Sequence, residues 1–116
     1  MVDVARAACE RPVHGAVDAV FSALADPSRR FVVETLATRG TATPTELAAD
    51  LPVTRQAVSK HLAALQEAGL VEAHRAGRET RYALTPAPLT SAAEWIDEVG
   101  AAWDARLASL RKLVDG

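Results

Sequence analysis

The chain has 116 residues, 49% of them hydrophobic and only 4% aromatic, enough for one core built on Ala, Val and Leu and too few for two domains. A formal charge of −2, from 13 cations and 15 carboxylates, argues against a uniformly basic nucleic-acid binder, although the charge is uneven along the chain. A single cysteine, Cys9, excludes an internal disulfide. No stretch reaches the ~18 apolar residues of a membrane span, and MVDVARAACERP lacks the apolar run of a signal peptide. A soluble, cytoplasmic protein is expected, with no membrane partner.

Residues 1–12 read as a flexible leader and 13–116 as one domain. In HGAVDAVFSALA (14–25), Val17, Val20, Phe21 and Leu24 fall at i, i+3, i+4 and i+7, an amphipathic helix. DPSRRFVVETLATRG supplies an N-cap at Asp26, a first-turn proline at Pro27 and a terminating Gly40. Phe31, Val32, Leu36 and Val33 give this second helix its apolar stripe. Thr43-Pro44-Thr45-Glu46 has the form of a capping box, so a short third helix follows, ended before Pro52. Thr54 caps a fourth helix over 54–68, and Gly69 stops it. Residues 71–84 change to alternation, a β-hairpin with Gly77 near its tip. TPAPL (85–89) is a proline-marked linker before a final helix at 90–114. The predicted order is α-α-α-α-β-β-α, mainly helical with a small hairpin.

The fourth helix poses the chemical question. Arg55, Gln56, Ser59, Lys60 and Ala63 span an arc of about 140°, and Val58, Leu62 and Leu65 occupy about 60° on the other side. A short capped helix and a tight turn precede it, the arrangement of a helix-turn-helix whose second helix enters a major groove. Small Ala48 permits close crossing, and Leu47, Val53, Val58 and Leu62 fill the seam. Gln and Arg can bond adenine and guanine bidentately, Ser takes either role, and Lys neutralises phosphate. No carboxylate occurs from Thr54 to Gln66. The helix N-terminus adds free N–H groups and positive dipole charge. The hairpin contributes Arg75, Arg78 and Arg81 beside His74. Residues 53–84 carry five cations against three carboxylates, net +2, while 1–52 and 85–116 each come to −2. Taken alone, such a helix is most often a solvated surface. The joint pattern of capped helix, turn, carboxylate-poor helix and basic hairpin points to DNA. His61 sits at the edge of the apolar arc, open to a backbone partner or to a phosphate.

From about Val17 to Leu113 the sequence resembles the ArsR/SmtB family of winged-helix transcriptional repressors. The resemblance lies in ALADPSRRFVVETL (23–36), ELAADLPVTRQAVSKHLAALQEAGLV (46–71) and GRETRYAL (77–84), with SKHLAALQEAGLV highly typical. It implies a winged helix-turn-helix with 54–68 as recognition helix, 71–84 as wing and 90–114 as dimerisation helix. It further implies a homodimer through the first and last helices, with Val17, Val20, Phe21, Trp95, Ile96, Val99, Trp103, Leu107 and Leu110 at the interface. Such a dimer would bind a palindromic operator near its own promoter, repress transcription, and be released by an inducer of unknown identity. The expected DNA-binding set is Thr54, Arg55, Gln56, Ser59, Lys60, His61, Arg75, Arg78 and Arg81.

No metal or other cofactor is expected. Metal-sensing members carry Cys-x-Cys where this chain has Leu47-Ala48-Ala49-Asp50, or His and Asp on a last helix that here has Glu94, Asp97, Glu98 and Asp104 but no His. Trp95 and Trp103 resemble a non-metal branch. No Gly-rich phosphate loop, HExxH or nucleophile set is present, so no enzyme is expected. Metal sensing, redox sensing through Cys9, a protein-binding winged helix, and a constitutive repressor stay open as alternatives.

Overall fold

The computed structural model describes residues 12–115. Cys9 and the expected leader, apart from Pro12, lie outside them. The elements are α1 (Pro12–Leu24), α2 (Pro27–Arg39), β1 (Thr41–Ala42), α3 (Pro44–Asp50), α4 (Arg55–Glu67), β2 (Val71–Ala76), β3 (Glu79–Leu84) and α5 (Pro86–Asp115). The strands form an antiparallel sheet in the order β1-β3-β2.

Local chemistry sets most boundaries. The Ser28 N–H donates to Asp26 Oδ1 at 2.8 Å, with Pro27 beginning α2. Gly40, at φ 87°, closes that helix by donating its N–H to the Leu36 carbonyl. The capping box is complete: the Glu46 N–H donates to Thr43 Oγ1 at 3.1 Å and the Thr43 N–H to Glu46 Oε1 at 2.9 Å. Leu51 turns extended ahead of Pro52. Thr54 Oγ1 accepts from the Ala57 N–H and starts α4. At the other end, Gly69 at φ 81° lets the Leu70 N–H reach back to the Leu65 carbonyl at 2.9 Å, the 6→1 bond of a Schellman stop.

Val20, Val32, Leu36, Leu47, Val58, Leu62, Leu65 and Leu70 are sealed from solvent, with Ala23, Ala42, Val71 and Ala92 joining the same cluster. Tyr82, Leu84 and Leu89 pack on its edge. The hairpin register pairs Val71 with Leu84 and Ala76 with Glu79, leaving a two-residue turn, Gly77-Arg78. Only Gly77 has positive φ, the pattern of a type II′ turn.

Several expectations need correction. Strand β1 was not anticipated: two residues are too few to show alternation, and Thr41 and Ala42 are held by pairing with Ala83 and Tyr82. The last helix begins at Pro86, not at 90, so the expected linker shrinks to Thr85. Pro86 and Pro88 fall in the first turn, where N–H groups have no intrahelical partner to lose. Phe31 is 53% exposed and does not belong to the stripe of α2. Val17 and Val20, expected at an interchain interface, are buried within the single chain. Val20 joins the core cluster of its own chain.

Leu62 is fully buried in this core. Leu62→Ala should cost about 2–5 kcal/mol by removing packed methyl groups from a site with no solvent exposure. Urea unfolding would show it as a lower midpoint with an unchanged slope.

Candidate nucleic-acid interface

Burying Val58, Leu62 and Leu65 fixes how α4 is rotated. Arg55, Gln56, Ser59 and Lys60 are consequently exposed along one outer face, and the N-cap Thr54 is exposed at the start of the helix. Across the inner seam Leu47 is fully buried, with Ala48 and Val53 packed beside it, as the spacing anticipates. The N-terminal end of α4 is open, so its first N–H groups remain directed outward except for that of Ala57, taken by Thr54.

The wing places its arginines differently from one another. Arg75 and Arg78 are exposed and have no ion pair among the described residues. Arg78 is the second turn residue. A cleft of about 370 Å³ is lined by Thr43, Pro44, Thr45, Glu46, Arg55, Arg78 and Glu79. It thus joins the first residue of α4 to the wing tip, across the start of α3. His74 turns to Glu72, with 3.3 Å from Nε2 to Oε1.

Two of the nine sequence candidates are half-buried, while the other seven are exposed. Arg81 is held midway along the wing, opposite His74. Its Nε donates to Thr41 Oγ1 at 3.1 Å, Nη2 to Glu46 Oε1 at 3.0 Å, and Nη1 to Glu79 Oε2 at 3.2 Å. His61 is half-buried beside the N-terminus of α2. Its charge is one of those that hold the Asp26 carboxyl below the ordinary carboxylate range, the Ser28 N–H being the first cause. Glu46 is held low as well, first by the Thr43 N–H and then, against its desolvation, by Arg81 and Arg39. Sequence reasoning reads Glu46 only as a capping residue. Its ion pair with Arg81 spans 35 positions, and no periodicity announces it.

Helix α5 carries an exposed apolar stripe. Trp95, Ile96, Val99, Trp103 and Leu110 are exposed and Leu107 is half-buried. Leu113 and Val114 extend the stripe to the end of the helix. Phe21 of α1 meets Trp95 edge-on, ring centroids 5.5 Å apart. Among the described residues no three His, Cys, Asp or Glu side chains gather as metal ligands, and no helix is long and apolar enough to cross a membrane.

A depressed carboxyl contributes stability above the ordinary carboxylate range that is lost as pH falls through its folded value. Asp26→Asn retains a capping side chain but not the titration. Its unfolding free energy should therefore decline less steeply below the ordinary carboxylate range than that of the parent, as read by urea melts across an acid pH series.

A family model described as a helix-turn-helix domain matches residues 24–74. The chain is 41% identical over 98 residues to the HTH-type transcriptional regulator Rv2034 of Mycobacterium tuberculosis, spanning 84% of this chain and 88% of that one. It is similar to the solved structure of an ArsR-like transcriptional regulator from Rhodococcus sp. RHA1, with TM-score 0.74 and 41% identity over 86% of this chain and 93% of that one. It is also similar to the cadmium metal-sensor CMTR of Mycobacterium tuberculosis, with TM-score 0.52 and 45% identity, covering 58% and 68% of the two chains.

Proposed function

This chain belongs to the ArsR family of winged helix-turn-helix transcriptional regulators, which are DNA-binding proteins and not enzymes, and from that premise we propose that it is a homodimeric, autoregulatory repressor. The observation that carries the proposal is the outer face of α4, free of carboxylates from Thr54 to Gln66 and joined through one cleft to the wing tip. The face enters the major groove. Arg55, Gln56 and Ser59 meet base edges, Lys60 and the N-terminal N–H groups of α4 meet phosphate, and Arg75 and Arg78 follow the flanking backbone. Occupying promoter DNA in this way blocks transcription.

The dimer is inferred from the stripe of α5. Tryptophans and aliphatic side chains left in water along one helix favour burial by a second copy, and two-fold pairing presents two α4 helices to a palindrome. Half-sites about one helical turn apart, or a multiple of it, match that symmetry. Release is read as metal-independent, in contrast to the cadmium sensor. Ala48 and Ala49 have no thiolate to offer, and the carboxylates of α5 lack imidazole neighbours. The inducer would then be a small molecule. The cytoplasm is the compartment in which such a regulator meets its operator.

Fluorescence anisotropy on the duplex immediately upstream of its own gene tests the reading, against a shuffled duplex, over a salt series, with and without chelator. Tight, salt-steep binding to the native duplex alone, indifferent to chelator, supports it. Equal weak binding to both duplexes, or loss with chelator, counts against it.

Two substitutions separate base reading from backbone grip. Gln56→Ala should cost about 1–3 kcal/mol on the native site and relax preference at one position. Arg78→Ala should weaken native and shuffled duplexes alike and shallow the salt slope by about 1. Equal losses on both duplexes for Gln56→Ala would remove it from the base-reading set.

Trp103→Asp puts a charge on the α5 stripe at a residue 57% exposed in the single chain, so the fold should survive. Sedimentation should then report a monomer, and operator affinity should fall by on the order of 10²-fold through loss of the paired half-site. An unchanged sedimentation coefficient would place the interface elsewhere.

A further inference from the structure

Arg81 differs from the other wing arginines in having no free guanidinium nitrogen. Nε and Nη2 both reach Thr41, through its hydroxyl at 3.1 Å and its carbonyl at 3.5 Å. Nη2 also meets Glu46, and Nη1 meets Glu79. Its side chain is 28% exposed.

Glu46 is the other half of the arrangement. Oε1 accepts from the Thr43 N–H and from Arg81 together. Oε2 lies 3.6 Å from Arg39 Nη2, whose own Nη1 is 2.6 Å from Asp50 Oδ2. A line of charges therefore runs Asp50–Arg39–Glu46–Arg81–Glu79, tying both ends of α3 to the last turn of α2 and to the wing. An isolated surface pair contributes little, largely because two free side chains must be ordered. Here the carboxylate is already immobilised by the cap, and the arginine presents a planar fork to three partners. The ordering cost is reduced on both sides. The hairpin leans on the domain otherwise through the short β1 ladder and the residues at its base.

We propose that Arg81 is a positioning residue: joined to Glu46, it sets the wing and its tip, Arg78, against the helix-turn-helix, and does not itself grip phosphate. The proposal rests on the DNA-binding reading. It turns Glu46, an acidic residue lining the same cleft as Arg55 and Arg78, into a requirement for binding an anion.

Glu46→Gln separates the two roles because glutamine still completes a capping box while losing the charge. If Arg81 gripped phosphate, neutralising its carboxylate partner would free it and tighten binding. Positioning gives the opposite sign: about 5–10-fold weaker binding to the upstream duplex with an unchanged salt slope. Arg78→Ala should then cost less in the Glu46→Gln background than in the parent, since a misplaced tip has less to lose. Arg81→Lys should lose as much as Arg81→Gln, whereas a phosphate contact would tolerate the lysine point charge. Amide hydrogen exchange in the DNA-free protein supplies the independent readout. Residues 72–80 should exchange faster in Glu46→Gln while Leu62 and Leu65 stay protected. Faster wing exchange in a protein that binds neither duplex would leave the positioning intact and fail the DNA reading. Unchanged wing exchange, or tighter DNA binding by Glu46→Gln, would overturn the positioning itself.

Discussion

The seam between α3 and α4 is the constraint on which the rest depends. Leu47 from one helix and Val58 and Leu62 from the other are completely withdrawn from water. A helix turns by about 100° per residue, so seating Val58 and Leu62 fixes the azimuth of every other side chain on α4. Rotating the helix by one position would drive Arg55 or Ser59 toward the core and leave Val58 wet. Burying an unpaired guanidinium is far more costly than the rotation could recover. The hydrophobic seam thus does the aiming, and the polar face inherits its direction. Ala48, a small residue of α3, packs against the same core.

The wing is attached by a different kind of force. Beyond Val71, every residue of β2 is exposed, so apolar burial anchors the hairpin only at its base, through Val71, Tyr82 and Leu84. A two-stranded hairpin is marginal in water without further support. Pairing to β1 and the charges around Arg81 provide it. Those charges gather where three elements come together, because the cap of α3 immobilises Glu46 at that point. Capping and wing attachment consequently share one carboxylate.

Much of this was legible in the residues, and what escaped did so for physical reasons. Caps are local, so Asp26, Thr43 with Glu46, Thr54 and Gly69 could be read directly. The rotation of α4 follows from Val58, Leu62 and Leu65 alone. Strand β1 escaped because two residues have no period, and their conformation comes from β3. Phe31 was misplaced by its hydrophobicity, yet helical geometry puts it about 100° from Val32 and 140° from Leu36, off the buried line. Val17 and Val20 show a deeper ambiguity. An apolar stripe states that burial is needed and is silent on whether the cover comes from the same chain. Arg81 is read from its charge and its strand, while two of its three partners, Glu46 and Thr41, lie 35 and 40 positions away.

That ambiguity has a counterpart in α5. The helix runs 30 residues, about 45 Å, yet only Ala92 of it is buried. It accounts for much of the elongation: the radius of gyration is 18.8 Å, against about 13 Å for a compact domain of 100 residues. A helix this long, standing largely free in water, draws little stability from its own chain, because most helical stability in proteins comes from packing an apolar face. Its face is apolar all the same, with Trp95, Val99, Trp103 and Leu110 spaced to line one side. The exposed edge of Phe21 against Trp95 continues that surface onto α1. A copy docked there would cover α5 at a site remote in sequence from α4. Because α1 and α5 are packed on the core that seats α4, such docking would also fix the separation of two recognition helices. Spacing between half-sites, a property no single chain can possess, would then be set by the side chains that this chain leaves in water.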